Sequence, residues 1–403
     1  MKLANRGFLL AESLSRRLCF RHLLSAAVFL CILFFIMTSF ITYDYKESTI
    51  SSPREVSARE PPKSIRTPES KLKETTMSIQ ITHSNSCKTR CNPSGSEPLP
   101  KGIVRRTSDL EMRPLWGSPH SPKRKGNKKA SKSLLAITVG INQKQLVDQI
   151  VKKFFSSDFV LMVFHYDGVV NEWRDLFWSD VALHVSAINQ TKWWFAKRFL
   201  HPDVVSEYDY IFLWDEDLGV EHFNPKRYLS IIRREGLDIS QPGLDSSRSL
   251  VHHQITTRQG KGDVHRRTYL SRGRRRCNEN STAPPCTGWV EMMAPVFSRD
   301  AWRCAWHMIQ NDLIHAWGLD MKLGYCAQDD RSKTIGVVDS EYIIHKGLPT
   351  LGGLADSRGP SGSSTDRERL AVRRRSYTEQ DIFKRRWQKA ATEDKCWTDP
   401  YPD

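Results

Sequence analysis

Its 403 residues, 39% of them apolar, are enough for one large domain or two ordinary ones and exclude a chain without a sizeable core. A net charge of +16 points to an anionic partner, and leaves nucleic acid, a membrane surface, phosphate or an acidic polysaccharide all open.

In chain order, residues 1–22 are basic (Lys2, Arg6, Arg16, Arg17, Arg21) and predict a cytoplasmic tail. Residues 23–43, Leu23 to Tyr43, carry no charge and match the ~20 residues that span a bilayer as a helix. The basic excess before the span predicts a single-pass type II anchor with the bulk of the chain lumenal. A cleaved signal peptide would have a shorter apolar run and a small-residue cleavage site. The short span suits a Golgi membrane. Residues 44–132, rich in Ser, Pro, Thr, Lys and Arg, predict a disordered stem, with Ser121–Lys132 as a solvated linker and not a nucleic-acid patch. Cys87 and Cys91 lack a second ligand pair for zinc. Seven of the nine cysteines follow the span and could form disulfides in an oxidising lumen. Asn189 and Asn280 open glycosylation sequons.

Residues 133–351 read as an α/β domain, with a mostly parallel sheet and helices on both faces. Strands are expected over Ser133–Ile141, Phe159–His165 and Val181–Ala187, in Glu207–Trp214, and over Gly288–Phe297. Helices are expected after Asn142, through Trp193–Leu200, over Pro225–Arg234 and over Arg299–His315. Residues 352–403 predict a Gly/Ser-rich segment and a basic tail ending in a helix over Thr378–Ala391.

The buried run Tyr210–Trp214 ends in Asp215-Glu216-Asp217. Ligands of open α/β sheets bind beyond the carboxyl ends of strands, and clustered carboxylates repel unless a cation lies between them. Asp215 and Asp217 are therefore candidate ligands for Mn²⁺ or Mg²⁺, which suit hard oxygen donors; the alternative is a solvated acidic turn. Glu291, a lone acid in an apolar run, is either functional or satisfied by a partner. The basic loop with His252, His253, His265, Arg272, Arg274, Arg275 and Arg276 could contact an anionic acceptor or be merely solvated. Trp289 and Trp302 could stack on sugars, though such spacings also suit core packing.

A buried strand ending in Asp-x-Asp, behind an anchor and stem, resembles the GT-A glycosyltransferases over about Ser133 to Gly353. The stretches around Trp194–Pro225, Gln241–Arg258 and Cys286–Ala327 also closely resemble a plant family labelled "lysine-ketoglutarate reductase trans-splicing related", although no Gly-x-Gly-x-x-Gly fingerprint opens a helix. The GT-A resemblance implies a nucleotide-sugar donor and a divalent ion at the Asp pair. Trp317-Gly-Leu-Asp320 resembles the region of the catalytic base, with Leu319 where an acid is commoner; a helix-capping Asp explains it equally. His345 resembles a third metal ligand and Lys346 could neutralise phosphate, or His345 is structural. Asp167 matches an acid near the nucleoside, or serves an Asp-Gly turn. The expectation is a transferase moving a sugar to a glycan or glycoprotein, the acceptor being anionic on the basic-loop reading. Its rivals are a non-catalytic lumenal scaffold on the same fold and, as the weaker alternative, a nucleic-acid-associated regulator.

Overall fold

The computed structural model describes residues 92–110, 132–155, 158–270, 276–348 and 363–401. The expected tail, transmembrane span, most of the stem, the Cys87/Cys91 pair, Arg272, Arg274 and Arg275 lie outside them. None of the described helices is long and apolar enough to cross a membrane.

The strands are β1 (Lys132–Val139), β2 (Phe159–His165), β3 (Leu183–Ser186), β4 (Tyr208–Trp214), β5 (Leu218–Gly219), β6 (Ile239–Leu244), β7 (Val264–His265), β8 (Val296–Ser298) and β9 (Ile335–His345). They form one sheet in the order β3-β2-β1-β4-β8-β6-β9-β5, with β7 also on β9. β1 lies parallel to β2 and β4, β2 to β3, and β6 to β9. β8 runs antiparallel between β4 and β6, and β5 and β7 run antiparallel to β9. The α/β expectation holds: six strands, β1, β2, β3, β4, β6 and β9, run in one direction, and the sheet is mixed because β5, β7 and β8 run against them. The reason is local: β8 enters from a loop at the carboxyl edge of β4 and must run back along it.

Side chains alternate between two apolar layers, as the two-residue period of a strand requires. Leu134, Ala136, Ile211 and Leu213 face one layer, whereas Leu135, Ile137, Phe212 and Trp214 face the other. Helices α1 (Lys144–Phe154) and α3 (Pro225–Arg234) cover the second layer through Val147, Ile150, Phe154, Tyr228 and Ile232. Helices α2 (Lys192–Phe199), α4 (Arg299–Met308) and α5 (Ser363–Glu393) cover the first through Phe195, Trp302, Trp306, Phe383 and Trp387. The start of α3 is set by Pro225 at its first turn and by Asn224, whose side chain accepts the amides of Lys226 and Arg227 at 3.0 and 3.1 Å.

Five expectations need correction. The strand expected over Gly288–Phe297 pairs as a strand only at Val296–Ser298, and the following helix stops at Met308. β6 was not anticipated, because Pro242 and Gly243 argue against a strand; the register shift between them accommodates both. The stem does not extend to residue 132: Leu99 and Ile103 are fully buried, and Gln310 donates to the Ile103 carbonyl at 2.9 Å. Buried Lys197 pins the same segment, donating to the carbonyls of Arg105 and Trp306 at 3.0 and 2.9 Å. Burial lowers its pKa well below the usual amine range. The basic tail likewise belongs to the body, with Phe383, Trp387 and Ala390 buried on α5.

Cys277 pairs with Cys286, Cys304 pairs with Cys326, and Cys396 is disulfide-bonded. The second bridge spans 22 residues and ties α4 to the 3-10 helix Asp320–Cys326. Cys304→Ala with Cys326→Ala should cost about 3 kcal/mol by loop-closure entropy. Denaturant titration of the oxidised and doubly substituted chains checks this; equal midpoints would show that the bridge is not stabilising.

Candidate functional site

The parallel strands β1, β2, β4, β6 and β9 all end at one edge of the sheet, and the candidate residues gather there. β4 delivers Asp215. The β4–β8 ladder continues past β8, with Leu213 donating to the Pro295 carbonyl and Asp215 to that of Met293 at 3.1 and 2.9 Å. The Met293 end of that loop, which also carries Glu291, therefore lies beside Asp215. β5 pairs Leu218 opposite His345, and the Lys346 amide donates to the Asp217 carbonyl at 3.0 Å. Asp217 and His345, 128 apart in sequence, thus become neighbours where β5 meets the end of β9.

Asp217 is buried. Its Oδ2 accepts the Leu348 amide at 3.0 Å and lies 3.5 Å from His345 Nε2. His345 Nδ1 donates to the Leu250 carbonyl at 2.8 Å, which leaves Nε2 turned to the carboxylate. Burial opposes charge on this imidazole, but the Asp217 carboxylate, the Leu250 carbonyl and Glu291 together raise it to about 9. Asp215 turns elsewhere. Its Oδ1 pairs with Lys192 Nζ at 2.9 Å, and burial raises its pKa against the pull of Lys192. The Lys192 ammonium also donates to the carbonyls of Met292 and Met293 at 2.5 and 3.0 Å, so its three donors tie the Glu291 loop to Asp215.

Glu216, between the two aspartates, is buried on the other side of the strand end, where its Oε2 accepts the Thr138 hydroxyl from β1. Burial, then the adjacent Asp215 charge, pushes its carboxyl up to about 7. The Tyr166 hydroxyl is raised by burial and by Glu216. The Tyr166 ring occupies the space a side chain on Gly140 would need, so that position must lack one.

Glu291 is brought in by Gln241 of β6, whose Oε1 accepts the Glu291 amide at 2.5 Å. Its Oε2 is buried without a hydrogen-bond partner. Burial raises its carboxyl to about 7, opposed by His345 and supported by Asp320 and Asp215. Asp320 opens the 3-10 helix Asp320–Cys326, whose far end is held by the Cys304–Cys326 bridge. Burial raises its pKa, while the Met321 amide and the nearby Trp289 indole oppose the rise. The structure thus brings together Asp215, Asp217, Glu291, Asp320 and His345, with Lys192 and Glu216 as residues sequence reasoning missed.

Asp167 is placed differently. Its Oδ2 accepts the Ile141 amide at 2.7 Å and its Oδ1 that of Val169 at 2.9 Å, so it closes the turn after β2 and pins the start of the 141–154 helical segment. Lys346 contributes its backbone amide to the site. Trp289 and Trp302 are buried, as core packing requires. His265 lies apart, its Nδ1 2.9 Å from Asp339 on β9. Among the described residues no group of three or more His, Cys, Asp or Glu side chains is gathered closely enough to hold a metal ion. The Asp217 carboxylate is suited in donor type to Mn²⁺ or Mg²⁺, the His345 imidazole is a softer donor that Mn²⁺ tolerates, and Asp215 is kept from joining them by Lys192.

Glu216 offers a check on this electrostatic picture. Its folded pKa of about 7 lies above its ordinary 4.5, so the fold favours the neutral form. That contribution is fully present below pH 4.5 and lost as pH rises through 7. Glu216→Gln should remove about 3 kcal/mol of the stability the wild type loses over this window, and Glu291 should retain its own share. Urea unfolding at three pH values decides; parallel pH curves for the two proteins would refute the raised carboxyl.

No curated protein matches the chain. Solved structures that resemble it include S. aureus TarS 1–349, at 12% identity and TM-score 0.34, covering 53% of this chain and 59% of that one. TarS 1–349 has also been solved in complex with UDP. The glycosyltransferase GlyE of Streptococcus pneumoniae TIGR4 resembles it at 11% identity and TM-score 0.31, covering 66% of each chain. The mannosyltransferase Ktr4p of S. cerevisiae does so at 10% identity and TM-score 0.33, covering 62% of this chain and 78% of that one. This chain therefore spans less than two thirds of TarS 1–349, and TM-scores of this size settle no activity. Residues 90–393 match a single family model across most of the chain, which belongs to the family described as Protein of unknown function (DUF707).

Proposed function

We propose that the chain is a glycosyltransferase of GT-A type that moves a sugar from a nucleoside-diphosphate donor to a hydroxyl of a glycan or glycoprotein. One observation carries the reading: the half-buried Glu291, with one carboxylate oxygen lacking a partner, sits among Asp215, Asp320, His345 and Lys192 at the carboxyl edge of the sheet. A carboxylate with a pKa near 7 is suited to accept a proton at neutral pH. The acceptor oxygen bonds to the anomeric carbon as the bond from that carbon to the diphosphate oxygen breaks. The hydroxyl proton passes to Glu291, and the diphosphate leaves with the electron pair. Asp320 keeps the Glu291 carboxyl from ionising too readily. Lys192 holds the Glu291 loop in register with Asp215. Asp217 and His345 would hold Mn²⁺ or Mg²⁺, with Asp215 paired to Lys192, and the ion would supply Lewis-acid neutralisation of the leaving diphosphate.

The remaining parts of the proposal rest on the sequence. The apolar span 23–43 and the basic residues before it support a single-pass Golgi membrane protein with a lumenal catalytic body. The plant-family resemblance adds no chemistry. The exposed sequon asparagines Asn189 and Asn280 are open to glycosylation in that compartment.

The test is calorimetric titration of the full-length chain with a panel of UDP- and GDP-sugars, with Mn²⁺ and with a chelator. Metal-dependent binding of one donor supports the transferase. A folded chain that binds none supports the scaffold on the same fold.

A further inference from the structure

Beside the acid cluster stands a rim that the transfer chemistry does not use. Ala316 and Gly318 adopt left-handed backbone (φ 54° and 91°). This turn lies on α5, and a side chain on Gly318 would meet Gln380 and Phe383. The turn leaves Trp317 projecting, 38% exposed, with its ring 5.1 Å from that of Tyr377, itself 53% exposed. Paired aromatics are ordinarily buried; here both stay open to solvent, and Trp317 stands three residues before Asp320.

The turn is anchored from behind. The His315 amide donates to Glu379 at 2.8 Å, and Glu379 also engages Arg375 at 2.9 Å. Arg373 and Arg374 are exposed one turn before Tyr377, on the same side of α5. Arg373 bears on His252, whose ring lies 5.6 Å from that of His345. The helix therefore flanks the metal-side imidazole at one point and the Asp320 turn at another.

We propose that Trp317, Tyr377, Arg373 and Arg374 form an acceptor subsite for an acidic oligosaccharide, one whose sugars carry carboxylates. The proposal rests on the transferase reading and names its substrate class. Aromatic faces pack against the apolar C–H faces of sugar rings, and guanidinium forks match planar carboxylates. A glycan so held lies next to Asp320 and Glu291, where a hydroxyl must lose its proton. A nucleic acid fits less well. Single-stranded nucleic acid is held by stacking successive bases along a cationic groove, whereas this rim offers one aromatic pair beside two arginines.

The experiment uses the full-length chain and three probes of matched length: an oligogalacturonate, a neutral xylo-oligosaccharide and single-stranded DNA. The oligogalacturonate should bind wild type and lose about tenfold or more in Trp317→Ala, in Tyr377→Ala and in the Arg373→Gln/Arg374→Gln pair. Trp317→Phe should restore most of the affinity, which separates stacking from a folding defect. Nucleotide-sugar binding, measured on the same samples, should be unchanged in all of them. Intact donor binding without oligogalacturonate binding, or with binding indifferent to these substitutions, would overturn the subsite and leave the transferase standing. Tighter binding of the neutral oligosaccharide or of the DNA would also overturn it. Oligogalacturonate binding with no donor binding would instead count against the transferase while keeping a glycan-binding face.

Discussion

Asp217→Asn should weaken metal-dependent binding of a nucleoside diphosphate by about a hundredfold or more. Removing a group that merely orients a ligand typically costs ten- to a hundredfold in metal affinity, so removing the ligand should cost at least as much. Asp217 is the aspartate that faces His345, and the Leu348 amide fixes its carboxylate. Asp215→Asn should cost less, because that carboxylate is already paired with Lys192. Asp167→Asn should stay within a few-fold of wild type, since Asp167 serves the turn after β2. Calorimetric titration with UDP and Mn²⁺ orders the three variants. An Asp217→Asn protein that binds like wild type would remove the metal site from this edge of the sheet.

The second large effect concerns the proton. Glu291→Gln should lower transfer by about two to four orders of magnitude and leave donor binding unchanged. In the wild type, activity should rise with pH through about 7 as the Glu291 carboxyl ionises, because only the carboxylate can accept the acceptor proton. The Gln variant should lose that limb. The sign is set by burial, which holds the acid neutral below this pH, with Asp320 and Asp215 adding to the effect. If the limb survives in the Gln variant, the base is another group and Asp320 becomes the one to test.

Much of this site was legible in the chain itself. Tyr210–Trp214 is an unbroken apolar run, so its end and the carboxylates there could be placed before any coordinates. Pro225 and Asn224 marked the start of α3 by backbone chemistry alone. Glu216 was not legible, because the Asp-x-Asp pattern gives the middle acid no role, and its partner Thr138 lies far away in the sequence on β1. Lys192 was hidden in an apolar stretch next to Trp193 and Trp194, and nothing local reveals that its amine reaches Asp215 and two carbonyls about a hundred residues ahead. Residues 92–110 misled for the opposite reason. Their Ser and Pro content suggests a linker, and only the buried Leu99 and Ile103 show that tertiary packing overrides composition.

That last segment bears on how the molecule comes to be made. Backbone Lys101 donates to Asp394 at 2.9 Å, Trp397 donates to the Pro98 carbonyl at 2.8 Å, and Gly102 lies against Ala390. The first described residues to leave the ribosome thus find their partners among the last. Until residue 397 has emerged, Leu99 and Ile103 have no finished surface to occupy, and the apolar layer over β1 and β4 lacks the part of its cover that α5 supplies. Folding of this body is completed only once α5 and Trp397 have been made, and the interval before it is when the nascent chain most needs protection from aggregation.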